Sequence, residues 1–119
     1  MTVTSDALGR QGEAAAESFL AAKGLHPVAR RYRAADGEID LVMEDGSVVV
    51  FVEVKLSGRG QLGAGLCRVT LNKQRRLAHA AQAFLMEREW MERPARFDVV
   101  EITASGIYHV PCAFTVSGW

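Results

Sequence analysis

The residues best equipped for chemistry in this sequence are Asp40, Glu53 and Lys55. They lie in the stretch GEIDLVMEDGSVVVFVEVK, two apolar runs joined by Glu44-Asp45-Gly46-Ser47. That joint is a hairpin signal. With Asp45-Gly46 at the centre of the turn, Val42 faces Val49, Asp40 faces Phe51 and Glu38 faces Glu53. Side chains alternate between faces along a strand. One face then carries Glu38, Asp40 and Val42 together with Val49, Phe51, Glu53 and Lys55. Asp40 and Glu53 become diagonal neighbours, with Cα atoms about 7–8 Å apart. The other face of the third strand carries Val48, Val50, Val52 and Val54, which serve packing.

Charged groups inside apolar strands are costly unless paired or bound to a metal. Clustered carboxylates also raise one another's pKa. A hard cation, Mg²⁺ or Mn²⁺, relieves both problems. Held by Asp40 and Glu53, with the Val54 carbonyl as a third donor, it could polarise a phosphodiester and activate water. Lys55 could position that water or stabilise charge developing on the phosphate. The same spacing also reads as a plain salt bridge from Lys55 to Glu53 or Glu38, and spacing alone leaves both readings open.

The elements that must position these residues follow from periodicity and breakers. A first helix runs from Ser5 or Asp6 to Lys23, closed by Gly24 and striped by Leu8, Ala15, Phe19 and Ala22. Residues 25–33 form a strand, Ala34 to Gly37 a turn, and residues 38–44 and 48–55 the hairpin. The segment VVVFVEVK is the most apolar and β-branched, which places it centrally in a sheet. Glycines at 58, 60, 63 and 65 make residues 56–70 a mobile loop. Thr70 or Asn72 caps a second helix reaching about Glu92, with Leu77, Ala80, Ala81, Phe84 and Met91 on its buried face. Strands at 96–103 and 107–110 and an irregular end at 112–119 complete one α/β domain over residues 1–119, in the order α-β-β-β-α-β-β.

The 119 residues carry no net charge, but unevenly. From Val54 to Met86 there is no acidic residue, and Lys55, Arg59, Arg68, Lys73, Arg75 and Arg76 make that stretch +6. Such asymmetry suits a phosphate-facing surface as well as a solvated helix face. Lys73, Arg75 and Arg76 open the second helix, whose N-terminus attracts phosphate. Arg30, Arg31 and Arg33 could grip a nucleic-acid backbone or form a solvated edge. No apolar run reaches a membrane span. The opening residues lack the form of a signal peptide. Cys67 and Cys112 form no CxxC, so a reduced, cytoplasmic protein is expected. No His and Cys cluster points to zinc. Asp98 is expected to pair with Arg96 or Arg93, and Trp90 and Trp119 to pack. His79 and His109 have no evident partner.

The order and spacing of these pieces resemble the YraN-like family of uncharacterised bacterial proteins. That family is related to archaeal Holliday junction resolvases and the PD-(D/E)xK nuclease superfamily. GEIDLVMEDGSVVVFVEVK looks like its signature, GRQGEAAAESFLAAKG its opening helix, ARRYR the segment before the signature, LNKQRRL its second helix and RFDVVEI the strand that follows. The resemblance implies a restriction-endonuclease-like αβββαβ core, with Asp40, Glu53 and Lys55 as catalytic residues. It adds Glu13 from the first helix, with Glu17 as the fallback. Glu38 belongs to the signature without being the usual ligand, so a supporting or structural role is implied. Family members commonly continue with Thr-Arg where this chain has Leu56-Ser57, leaving Arg59 to supply the missing basic group.

The leading expectation is a metal-dependent nuclease acting on DNA rather than RNA, with branched DNA or a repair intermediate suggested by fold analogy alone. A resolvase-like reaction implies a homodimer, because a junction presents two equivalent strands. The alternatives are a non-catalytic nucleic-acid-binding protein that keeps the fold, and a protein-interaction adaptor using the second helix and the C-terminal tail.

Overall fold

The computed structural model describes residues 5–34, 36–57 and 69–116. Arg59, Cys67, Arg68, Trp119 and most of the expected mobile loop lie outside them. Two helices, α1 (Ser5–Ala22) and α2 (Leu71–Glu87), flank five strands. These are β1 (His26–Ala34), β2 (Gly37–Asp45), β3 (Val48–Ser57), β4 (Ala95–Thr103) and β5 (Gly106–Phe114). They form one sheet in the order β1-β2-β3-β4-β5, with β3 central as its composition requires. Only β3 and β4 run parallel, because α2 carries the chain back across the sheet between them. The last strand is longer than expected, extending through Pro111 and Cys112 to Phe114.

Each sheet face has its own core. Ala16, Leu20, Leu25, Leu41, Met43, Val50, Val52 and Val100 pack on the α1 side. Val42, Val49, Phe51, Phe97 and Val99 pack with Leu77, Ala81 and Phe84 on the α2 side. Rings dominate there: Phe84 meets Tyr32 edge-on at 5.0 Å and Phe51 at 5.9 Å between centroids. The buried stripe of α1 is Gly12, Ala16 and Leu20, one residue round from the expected one, and Leu8 is exposed. Small side chains at 12 and 16 let the helix lie close to the strands.

Both helices stop with a Schellman arrangement. Gly24, at φ 100°, closes α1, and Leu25 N–H donates to the Leu20 carbonyl. Glu89, at φ 59°, does the same for α2, with Trp90 N–H donating to Leu85 and Glu89 N–H to Met86. The second helix therefore ends before Glu92. Met91 falls outside it and is exposed, not buried. Trp90 packs, as expected, against Phe84 and beneath Arg93. Among the described residues no helix is long and apolar enough to cross a membrane.

The β2–β3 hairpin turns on Gly46-Ser47, not Asp45-Gly46. Asp45 pairs with Val48, Val42 with Phe51 and Leu41 with Val52. Gly46 sits at φ 60°, the left-handed value a two-residue turn needs at its first central position. The register is thus two residues away from the expected one. A shift of two preserves which face each side chain occupies. It changes who sits opposite whom, and one step past the last pair Asp40 comes opposite Glu53.

Gly37 opens β2 directly beneath α2. A Cβ there would lie 2.3 Å from the Arg76 carbonyl oxygen and 3.3 Å from the Ala80 Cβ. The obstructing atom is backbone, so the helix itself must shift. We expect Gly37→Ala to destabilise the fold by about 1–3 kcal/mol, the usual range for overpacking. Urea unfolding checks this, and an unchanged midpoint would show that the contact is loose.

Candidate active site

Strand alternation breaks at Asp40. Leu41 packs on the α1 side, whereas Ile39, two residues away, packs on the α2 side. On the neighbouring strand, Arg31 adopts φ 51°. As a result Arg30 and Arg31 both reach α1, while Tyr32 reaches Phe84 of α2. The pairing of β2 with β3 ends at Leu41 and Val52. Beyond it, Asp40 Oδ2 accepts the Val54 N–H at 2.8 Å, a side chain standing in for the missing ladder partner. Asp40 is thereby fixed beside Glu53.

Glu53 is 4% exposed, on the central strand. Its Oε2 receives Lys73 Nζ at 2.6 Å and Lys55 Nζ at 3.5 Å. Both ammonium groups meet this buried oxygen as ion pairs, without the angular alignment of a regular hydrogen bond. Sequence reasoning set Lys73 among phosphate contacts and did not foresee this contact. The start of α2 lies over the C-terminal half of β3, a long-range fact with no local signal.

The electrostatics follow from this packing. Burial, then the hydrogen-bonded charge of Glu53, push the Asp40 carboxyl up to about 9, and Glu13 adds to the push. Burial also pushes Glu53 up, but its contacts with Asp40, Lys73 and Lys55 together outweigh burial and hold it below its ordinary value. Burial and the neighbouring Lys73 lower Lys55 against the pull of Glu53. Lys73 is also pushed down by burial, yet its contact with Glu53 leaves it raised overall. Without a metal, then, the pair shares one proton, held mainly by Asp40.

Glu13 stands at the edge of this group. Gly12 packs α1 against Leu56 at the end of β3, where a Cβ would come within 2.8 Å of Leu56 Cδ2. The next side chain, Glu13, accepts from Arg31 Nε at 2.8 Å. Glu17 is gripped by Arg30 through two contacts of 2.6 and 2.7 Å. These four residues, with Arg10 and Ser18, line a cavity of about 460 Å³ between α1 and β1. Arg33 pairs with Glu38 at 2.9 Å on the exposed rim. All three arginines singled out in the sequence therefore have glutamate partners. Arg75 and Arg76 are exposed on α2 and form no ion pair with another described residue. Arg76 joins Asp36, Gly37, Glu38, Asp40, Glu53, Lys73 and Leu77 around a second cleft of about 240 Å³, which opens onto the carboxyl pair.

Among the described residues no three His, Cys, Asp or Glu side chains converge as a ligand cluster. The donor set is two carboxyls and main chain. That suits Mg²⁺ or Mn²⁺, which take one or two carboxylates and keep water, and does not suit structural zinc. The misaligned, buried Glu53 Oε2 is the atom a hard cation would satisfy best.

Two further buried carboxylates lie elsewhere among the described residues. Glu101, beside Lys55 across the β3–β4 ladder, accepts from Ser57 Oγ at 3.2 Å. Asp98 pairs with Arg96, as expected, and also with His109 at 2.7 Å. His109 thus has a partner that the sequence did not suggest.

Fold and site together define an α/β protein whose mixed five-stranded sheet, flanked by two helices, is compatible with an endonuclease-like core. The particular family is equally clear. The model of "Uncharacterised protein family UPF0102" matches residues 12–102, and the chain belongs to that family. It is 43% identical to a UPF0102 protein of Saccharophagus degradans, covering 92% of this chain and 93% of that one. A UPF0102 protein of Geobacter metallireducens is 38% identical over 98% of this chain and 99% of its own length. One from Symbiobacterium thermophilum is 46% identical over 80% of each. The matched span contains Glu13, Asp40, Glu53, Lys55 and Lys73.

Proposed function

We propose that this protein is a divalent-metal-dependent nuclease acting on DNA, with Asp40 and Glu53 as metal-binding carboxylates and Lys55 as the catalytic cation. The observation that carries this reading is the Asp40–Glu53 contact at the point where β2 leaves β3, with Lys55 and Lys73 both on Glu53 and an open cleft leading to the pair. When bound, Mg²⁺ or Mn²⁺ supplies Lewis acidity to a phosphodiester and lowers the pKa of a coordinated water. Asp40 and Glu53 hold the ion, with the Val54 carbonyl as an additional donor. Lys55, 15% exposed on a rigid strand, presents positive charge that stabilises the attacked phosphate. Glu13, fixed by Arg31, adds negative charge at the cation site. Arg76 meets the backbone of the substrate at the mouth of the cleft, and Arg75 extends that surface. A homodimer fits the branched-DNA version of this proposal.

One observation favours a second reading, a non-catalytic nucleic-acid-binding protein. Among the described residues no third His, Cys, Asp or Glu joins Asp40 and Glu53 as a ligand, whereas Arg75 and Arg76 are exposed and available to phosphate. A cleavage assay decides between them. The protein is incubated with linear, nicked and four-way-junction DNA, and with RNA, with and without Mg²⁺ or Mn²⁺. Metal-dependent cleavage supports the nuclease. Salt-sensitive binding without cleavage supports the second reading. Neither activity overturns both.

The proton held by Asp40 gives this reading a pH signature. A metal ion must displace that proton. Mn²⁺ affinity is therefore expected to rise by about tenfold per pH unit and to level off near pH 9, where Asp40 is already ionised. Calorimetric titrations at several pH values measure the slope. A flat profile would mean that Asp40 does not ligate.

A further inference from the structure

Lys73 Nζ lies 2.6 Å from Glu53 Oε2, closer than Lys55, yet without donor alignment. One buried oxygen thus carries two ammonium groups. The two lysines differ in exposure. Lys55 projects from the central strand and is 15% exposed, whereas the Lys73 side chain is 32% exposed, at the mouth of the cleft. The Lys73 backbone is pinned, since its N–H donates to the cap Thr70 Oγ1 at 3.2 Å. Only the side chain is free to swing. On the helix surface its neighbour three residues on is Arg76, which lines the same cleft.

A divalent ion arriving at an oxygen that already carries two ammonium groups is repelled by both, and Lys73, the closer and more exposed of the two, is the one placed to yield. We propose that Lys73 is a resident counter-cation of the carboxylate pair, and that metal binding displaces it outward to join Arg76 as a phosphate-binding pair. This rests on the metal site proposed above and adds a coupling to it. The ion and the substrate phosphate then favour the same position of Lys73, so each strengthens binding of the other. In the metal-free state Lys73 stabilises Glu53 and competes with the ion. After displacement it serves the substrate.

Removing the competitor predicts opposite effects on two ligands. Lys73→Met is expected to bind Mn²⁺ about tenfold more tightly than the wild type, since no displacement remains to be overcome. The same change weakens binding of duplex DNA in the presence of Mn²⁺ and abolishes the gain in DNA affinity that Mn²⁺ gives the wild type. A lysine with only a structural role would not tighten metal binding. Calorimetric titration of Mn²⁺ into the full chain, Lys73→Met and Lys73→Gln measures this, with melting curves to verify folding and Glu53→Ala as the control for the site. Wild-type protein offers an independent readout. Mn²⁺ exposes the Lys73 amine, so its labelling by an amine-reactive reagent, followed by mass spectrometry, speeds up. Unchanged or weaker Mn²⁺ binding by both variants, or unchanged labelling, overturns the displacement while leaving the metal site intact. Absence of Mn²⁺ binding by every form overturns the metal site and the displacement together.

Discussion

Asp40→Asn is expected to leave the metal-free protein at least as stable as the wild type near neutral pH, and to lower metal-dependent cleavage by at least about 100-fold. The two halves have one cause. Burial and Glu53 hold the Asp40 carboxyl in its neutral form up to about pH 9. An asparagine reproduces that neutral form: its oxygen accepts the Val54 N–H and its amide donates towards Glu53. It cannot give up a proton to become an anionic ligand. The pH dependence has a definite sign. A carboxyl whose folded value is raised contributes stability fully present below its ordinary value of 3.8 and lost as pH rises through about 9. Between about pH 4 and pH 9 the wild type should therefore lose stability relative to Asp40→Asn. Urea unfolding of both proteins across that range, beside a cleavage assay, tests the pair of claims. A variant destabilised by about 2 kcal/mol or more at neutral pH would show that Asp40 is needed as an anion in the metal-free fold.

The second large effect concerns stability. Asp98→Ala is expected to cost about 3–5 kcal/mol, the range for breaking a buried ion pair by removing one partner. Asp98 is fully buried, and its two oxygens serve four donors. Arg96 reaches it at 3.0 and 3.3 Å, His109 Nε2 at 2.7 Å and the Cys112 N–H at 3.0 Å. Cys112 sits at φ 49°, a left-handed conformation that this hydrogen bond helps to hold. His109 passes the network to Lys23, 3.2 Å from its Nδ1, at the end of α1. Arg96 passes it to Asp45 at the hairpin. One carboxylate therefore joins β4, β5, α1 and the β2–β3 turn. Denaturant midpoints give the loss directly, and a change below about 1 kcal/mol would reduce the network to a surface pairing.

The legible parts of this protein were those with local causes. The central position of β3 follows from its run of valines. The closure of α1 follows from Gly24. The adjacency of Asp40 and Glu53 follows from the hairpin and survives a register error of two, although strand alternation itself breaks at Asp40. The register itself did not follow, because Asp-Gly and Gly-Ser both suit a two-residue turn, and the backbone selected Gly46 as its first central residue. Other features depend on long-range packing. Nothing in ARRYR marks Arg31 as left-handed, yet that residue turns two consecutive arginines towards α1. Lys73 was visible as one base in a basic helix start, and only the crossing of α2 over β3 brings it to Glu53. Nothing in VVEI marks Glu101 as buried, yet it is 2% exposed. His109 gains its meaning only when β5 pairs with β4.

The central claim is that Asp40 and Glu53 form a divalent-metal site, and a binding measurement tests it more directly than any cleavage assay. Mn²⁺ is titrated calorimetrically into the wild-type chain, Glu53→Ala and Asp40→Asn, each verified as folded. A single class of site in the wild type, lost in both variants, is the predicted result. No Mn²⁺ binding by the folded wild type, or binding that survives both substitutions, would contradict it.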